Sequence, residues 1–231
     1  MATIVNTPAI VLRSFPYGDT SIIARCFTKE KGKTSLIIKG ARSKKSPKAA
    51  QFQPLSYIDI IYNHKANRDL HILSKVQFRE YWPHIIEDLR SVTLSFAILE
   101  MTEKTLLDDD PHPNLFFVLE SVLSAFNARE SHPNLLFWFY ECALLSHLGF
   151  KPNFDEKGLP GLTIVDPNSG PNSGIILASL LAENINQLPK ENITSKDQKI
   201  ISNYLWTLLC YHFDGLKNIK SMDVARKILN S

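Results

Sequence analysis

Cysteine is scarce in this 231-residue chain. Cys26, Cys142 and Cys210 are far apart, odd in number and form no CxxC pair. A disulfide framework and a cysteine zinc site are therefore not expected, and a reducing compartment is. Apolar runs long enough to cross a bilayer are lacking too. The longest candidates, near Leu135–Tyr140 and Ile175–Leu181, have the size of core segments. The opening residues Met1-Ala2-Thr3-Ile4-Val5 do not have the charged-then-apolar layout of a secretory signal, so a cytoplasmic protein with no membrane partner is expected. Signatures of catalysis are missing as well. The seven histidines show no HExxH or H-x₃-H spacing and read as structural or surface residues. Gly32-Lys33-Thr34 has the last letters of a phosphate-binding loop, but Phe27 stands where that loop needs its first glycine. Asp108-Asp109-Asp110, followed by Pro111, reads as a helix-to-loop turn rather than a magnesium cluster. The expectation is no enzyme, no cofactor and no metal.

What the chain does have is segregated charge. The formal charge is only +3, yet residues 1–80 hold 14 Lys and Arg against 5 Asp and Glu, and residues 81–231 hold 12 against 18. Opposite signs on two stretches predict two modules with different partners. The densest positive stretch is Lys31, Lys33, Lys39, Arg42, Lys44, Lys45 and Lys48, with no acid from Lys31 onward. Glycine, serine and alanine spacers in it let backbone and cations approach phosphates, so these residues are the candidate DNA contacts. A merely solvated loop is the plainer reading of such a run. Arg13 and Arg25 lie on predicted strands and extend the positive surface if they face outward. Base stacking needs exposed aromatics. Of Phe15, Tyr17, Phe27, Phe52 and Tyr57, most are expected in a core; Phe15 and Tyr17, in a predicted loop, are the better platforms.

The pattern of apolar residues changes along the chain. Ala9–Arg13, Thr20–Phe27, Thr34–Lys39, Ile58–Tyr62 and Leu70–Val76 read as short strands, with a polar hairpin loop over Asn63–Asp69. Five strands in so short a span suit a small barrel, of the OB or SH3-like kind. From Trp82 the period becomes helical. Leu89–Leu99, Leu115–Phe126 and Ile200–Leu209 carry single apolar stripes. Leu135–Leu148 is apolar nearly all round and should be central and buried. Ala178–Gln187 and Met222–Leu229 add shorter helices, with Ser221 as a cap and Thr194-x-x-Asp197 as a capping signal. A Pro- and Gly-rich insertion at 149–174 interrupts the helices, with Leu162–Val165 as a candidate strand. The expected fold class is α+β, with domains at 1–80 and 81–231.

Ordered local motifs add a family to this reading. They are Ala9-Ile-Val-Leu-Arg13, Tyr17-Gly18-Asp19, Phe27-Thr28-x-Glu30-x-Gly32-Lys33, Lys39-Gly40-Ala41-Arg42-x-x-Lys45-Ser46 and Gln53-Pro54-Leu55. Together they resemble the N-terminus of the RecO family of bacterial DNA-repair and recombination mediators, with Asp19 where the family usually has Glu. Leu148-Gly149-Phe150-x-Pro152 and the stretch from Tyr211-His212 to Lys220-Ser221 resemble its helical part. The resemblance covers essentially the whole chain. It implies an N-terminal five-stranded OB-fold β-barrel followed by an all-helical domain. It also implies binding of single- and double-stranded DNA, strand annealing, and, with RecR, loading of RecA onto DNA coated by single-stranded DNA-binding protein. The C-terminal tail of that coating protein would dock on the helical domain, for which Lys217–Arg226 is a candidate. Many family members hold zinc through four cysteines in the insertion; Gly149–Gly174 contains no cysteine or histidine, so no zinc is expected there. Two other classes stay open at this point. One is a basic barrel adaptor for RNA or acidic proteins, and the other a DNA-processing enzyme with an unrecognised site.

Overall fold

The structure, a computed structural model, describes residues 3–44, 46–80, 82–154, 161–217 and 219–229. The chain divides into two compact units, one of residues 1–83 and 105–120, the other of 84–104 and 121–231.

In the first unit the strands are β1 (Thr3–Tyr17), β2 (Ser21–Thr28), β3 (Gly32–Ile38), β4 (Tyr57–His64) and β5 (Leu70–Glu80), with a short helix α1 (Lys48–Gln51) between β3 and β4. The strands close into a barrel in the order β1-β2-β3-β5-β4, antiparallel except for β3 against β5. The fold class is the expected α+β. Each strand alternates because one face must fill the small lumen. Val5, Ala9, Val11, Ile22, Ala24, Cys26, Leu36, Ile38, Ile58, Ile60 and Tyr62 point inward, joined by Ala41 and Phe52.

Residues 105–120 pack against the barrel from outside. Phe116 meets Phe27 edge-on at 5.5 Å and Tyr57 at 6.2 Å, and Trp82 stacks on Tyr57 at 5.9 Å. The Asp109 amide donates to the Lys33 carbonyl at 3.0 Å. The fit is tight at Gly32, whose φ is +61° and where an added Cβ would lie 1.9 Å from the Asp110 carbonyl oxygen. Gly32→Ala is thus expected to cost at least ~2 kcal/mol, from the left-handed backbone and the displaced 108–110 segment together. Urea unfolding of the full chain checks this; an unchanged midpoint would show that the segment moves aside freely.

The second unit is helical because its stripes repeat at three and four residues. It holds α2 (Pro83–Glu87, from His84 on), α3 (Leu89–Thr105, up to Lys104), the C-terminal part of α4 (Pro113–Ala128), α5 (Pro133–His147), α6 (Ser173–Leu180), α7 (Ser195–His212) and α8 (Lys220–Leu229). As its composition predicts, α5 is central: 12 of its 15 residues are buried. Thr194 and Asp197 form the expected reciprocal capping box at the start of α7. Three local expectations are corrected. The helix placed at Ala178–Gln187 lies earlier, at Ser173–Leu180, followed by a single 3₁₀ turn at Ile185–Gln187, because Ser173 is buried and ties the start of α6 to the Pro167 carbonyl. Leu162–Val165 pairs with no strand among the described residues. Ser221 is not a cap; it lies inside α8 and gives its amide and hydroxyl to the Glu100 carboxylate. Among the described residues no helix is long and apolar enough to cross a membrane.

Candidate nucleic-acid interface

The outside of the barrel has two regions with different fates. Where Phe27, Lys33 and Tyr57 project, residues 105–120 and Trp82 cover the strands. Where the other halves of β1, β2 and β3 project, the strands are open.

Register decides which side chains reach that open region. Arg13 opposes Arg25 and Arg25 opposes Ser35; Phe15 opposes Ile23, Ile23 opposes Ile37, and Ile37 opposes Ile72 on β5. Residues directly opposite share a face. One row is thus cationic, and the next is aromatic and aliphatic. Tyr17 and Lys39 extend the surface toward the end of the barrel where β1 turns into β2. A register shift between Val11 and Arg13 is what turns Arg13 outward. Before the shift the odd-numbered residues Val5, Ala9 and Val11 face the lumen; after it the odd-numbered Arg13, Phe15 and Tyr17 face solvent.

This surface exposes apolar and aromatic side chains as well as cations. Phe15 is 38% exposed, Tyr17 50% and Ile72 44%, whereas Phe27, Phe52 and Tyr57 are core. Phe15 and Tyr17 end a strand rather than lie in a loop, so their rings are held by the sheet. The Arg13 guanidinium lies 5.5 Å from the Phe15 ring centroid, a cation–π contact that holds a charge beside an exposed aromatic ring. At the barrel end, the Arg42 amide donates to the Thr20 carbonyl at 2.7 Å and its guanidinium to the Gly18 carbonyl at 3.1 Å. These bonds pin Arg42 to the β1–β2 turn beside Tyr17. Beneath this surface, burial pushes the Cys26 thiol up to about 12, which makes it a poor nucleophile at neutral pH.

The candidate cations divide accordingly. Lys39, Arg42, Lys44 and Lys48 are exposed along the loop and α1, and Arg13 is exposed on β1. Arg25 and Lys31 are half-buried, Arg25 on the open sheet and Lys31 in the β2–β3 turn at the opposite end. Lys45 lies outside the described residues. Lys33 is a correction: it is buried, with its ammonium 2.6 Å from the Leu106 carbonyl and 3.5 Å from Asp108, so it holds the 105–112 segment and is not presented to a ligand. Lys65 and Arg68, on the β4–β5 hairpin, escaped the sequence reading because no run of cations surrounds them. They line a cavity with Asn63, Leu70, His71 and Ile72, and Ile72 belongs to the open apolar row. In the helical unit, Lys217 pairs with Asp214 at 2.6 Å and Arg226 with Asn203 at 3.0 Å, so the two named ends of the candidate tail site are engaged locally.

Comparison with known proteins agrees with the architecture. Residues 1–82 match the family described as Recombination protein O N terminal, and residues 86–194 match Recombination protein O C terminal. A DNA repair protein RecO of Salinibacter ruber is 34% identical over 161 residues, 70% of this chain and 62% of that protein. One from Chlorobium limicola is 32% identical over 66% of this chain and 59% of its own length. The chain thus spans about three-fifths of the length of these two relatives. One from Flavobacterium johnsoniae is 26% identical over 98% of this chain and 99% of its own length.

Proposed function

The chain belongs to the RecO family, and from that premise we propose that it is a DNA-binding recombination mediator of DNA repair that catalyses no reaction. It binds single- and double-stranded DNA through the barrel and anneals complementary strands. With RecR it helps RecA onto DNA coated by single-stranded DNA-binding protein, whose C-terminal tail docks on the helical unit. It works in the bacterial cytoplasm. The single observation that carries the DNA part is the open barrel surface, where Arg13 opposes Arg25, Phe15 and Tyr17 follow Arg13 along β1, and the exposed Lys39 directly follows β3. Cations neutralise phosphates, and aromatics stack on any base, so such a surface binds without regard to sequence. A mediator that acts anywhere on a chromosome needs that tolerance.

Strand annealing measured on bare and on protein-coated DNA tests this reading. The full chain is expected to accelerate annealing on both. With a coating protein truncated at its C-terminal tail, acceleration on coated DNA is expected to vanish while that on bare DNA persists. No acceleration on bare DNA would overturn the DNA role, and indifference to the truncation would overturn the tail role.

A further inference from the structure

Three side chains that the open surface does not use meet at the opposite end of the barrel. His64 ends β4, His71 is the second residue of β5, and Asp109 is carried on the 105–120 segment. Their ligand-capable atoms all lie within 4.8 Å of one another. His64 Nε2 is 3.2 Å from an Asp109 carboxylate oxygen, and the two imidazole centroids are 4.7 Å apart. Seven residues apart in sequence, the histidines face each other because β4 and β5 form a hairpin.

The cluster is incomplete as a purely organic arrangement. His71 is 3% exposed, and its Nδ1 has no hydrogen-bond partner among the described residues. His64 Nε2 is buried and, despite its closeness to Asp109, makes no hydrogen bond there among the described residues. Buried polar atoms without partners are costly, and buried imidazole nitrogens that converge with a carboxylate are what a metal ion satisfies. Asp109 is held for the task. Its φ is +57°, a conformation that Asp tolerates better than most residues, and its amide is bonded to Lys33. The neighbouring Asp108 takes the Lys33 ammonium, so that cation is paired beside Asp109 rather than with it. Burial and the neighbouring His64 both favour the neutral His71 imidazole, the form that ligates a metal, while Asp109 and Asp69 oppose this and Arg68 adds to it.

We propose that His64, His71 and Asp109 form a divalent transition-metal site that fastens the 105–112 segment to β4 and β5. Two imidazoles and one carboxylate select zinc-like ions over magnesium or calcium, and three protein ligands leave one position for water. Ligation at about 2.0–2.1 Å requires the three side chains to draw closer around the ion than they lie without it. The site is in the barrel, not in the insertion where zinc-bearing relatives have cysteines. It departs from the expectation that no metal is bound.

The test uses the full chain, freed of metal by chelator, then titrated with Zn²⁺ by calorimetry and with Co²⁺ by visible absorption. One saturable site per chain is expected, with cobalt bands of low coordination number and a Tm raised by zinc. Asp109→Asn is expected to weaken zinc binding at least ~10-fold, and His64→Gln with His71→Gln to abolish the saturable site and the cobalt bands. His112→Gln is expected to bind as the parent does. Equal zinc binding by the parent and Asp109→Asn would overturn the proposal, as would a parent that binds no zinc beyond the double variant. Asp109 is partly exposed, so its variant decides the matter even if the histidine variants fail to fold.

Discussion

Removing four cations from the open barrel surface, as Arg13→Ala, Lys39→Ala, Arg42→Ala and Lys44→Ala in one chain, is expected to weaken binding to single-stranded DNA by roughly 100-fold at about 0.1 M salt. Each phosphate contact contributes about 0.7 to the slope of log affinity against log salt on single strands, so the slope should fall by about 3. All four residues are exposed, so the loss of stability should be confined to the Arg42–Gly18 bond and the Arg13–Phe15 contact, and urea unfolding of the variant checks that it is still folded. Phe15→Ala and Tyr17→Ala act by a different route. Each is expected to cost about 1–3 kcal/mol of binding if a base stacks there, with the salt slope unchanged. Lys33→Met separates surface charge from net charge. It too removes one cation, but Lys33 is buried against Leu106 and Asp108, so stability should fall and the salt slope should not. Fluorescence anisotropy over a salt series reads all of these. An unaltered slope in the quadruple variant would remove DNA from this surface.

The second large effect concerns the helical unit. Glu141 is 1% exposed on the central helix α5, and neither carboxylate oxygen has a hydrogen-bond partner among the described residues. Burial raises its pKa well above the ordinary value, only partly opposed by the charge of Arg226. A carboxyl whose folded pKa is raised binds its proton more tightly in the folded than in the unfolded chain. Its contribution is therefore neutral below the unfolded pKa near 4.5, and it costs stability as pH rises from there toward the folded pKa. The slope is about 1.4 kcal/mol per pH unit in that window. Glu141→Gln, which cannot ionise, is expected to match the parent near pH 4.5 and to exceed it progressively as pH rises toward neutrality. Urea unfolding at a series of pH values measures the gap. A gap independent of pH would mean that Glu141 is solvated or paired in the folded chain.

How much of this was legible in the sequence can be judged residue by residue. The strands were legible because inward positions such as Ile58, Ile60 and Tyr62 alternate with outward ones. The helix α5 was legible because it is apolar nearly all round, although the same feature hid the single buried carboxyl within it. Thr194 and Asp197 announced the start of α7 because their reciprocal bonds are local. Ser221 misled because its partner, Glu100, is 121 positions away.

The sequence by itself did not show that residues 105–120 fold with the barrel, but it determined the change from strand to helical period near Trp82, the sign of charge on each stretch and the run of cations from Lys39 to Lys48. These depend on composition and short-range periodicity, which a chain carries whether folded or not. Tertiary structure alone decided which cations face outward. A one-residue register shift, not seen in the pattern of residue types, turns Arg13 toward solvent, and a segment 73 residues further on buries Lys33. It also moved three aspartates. Asp108, Asp109 and Asp110 belong by sequence to the acidic stretch, but they fold with the barrel, where they meet Lys33, His64 and His112. The physical reason is the same throughout. Strand register and side-chain convergence are set by contacts between distant parts of the chain, and local pattern does not contain them.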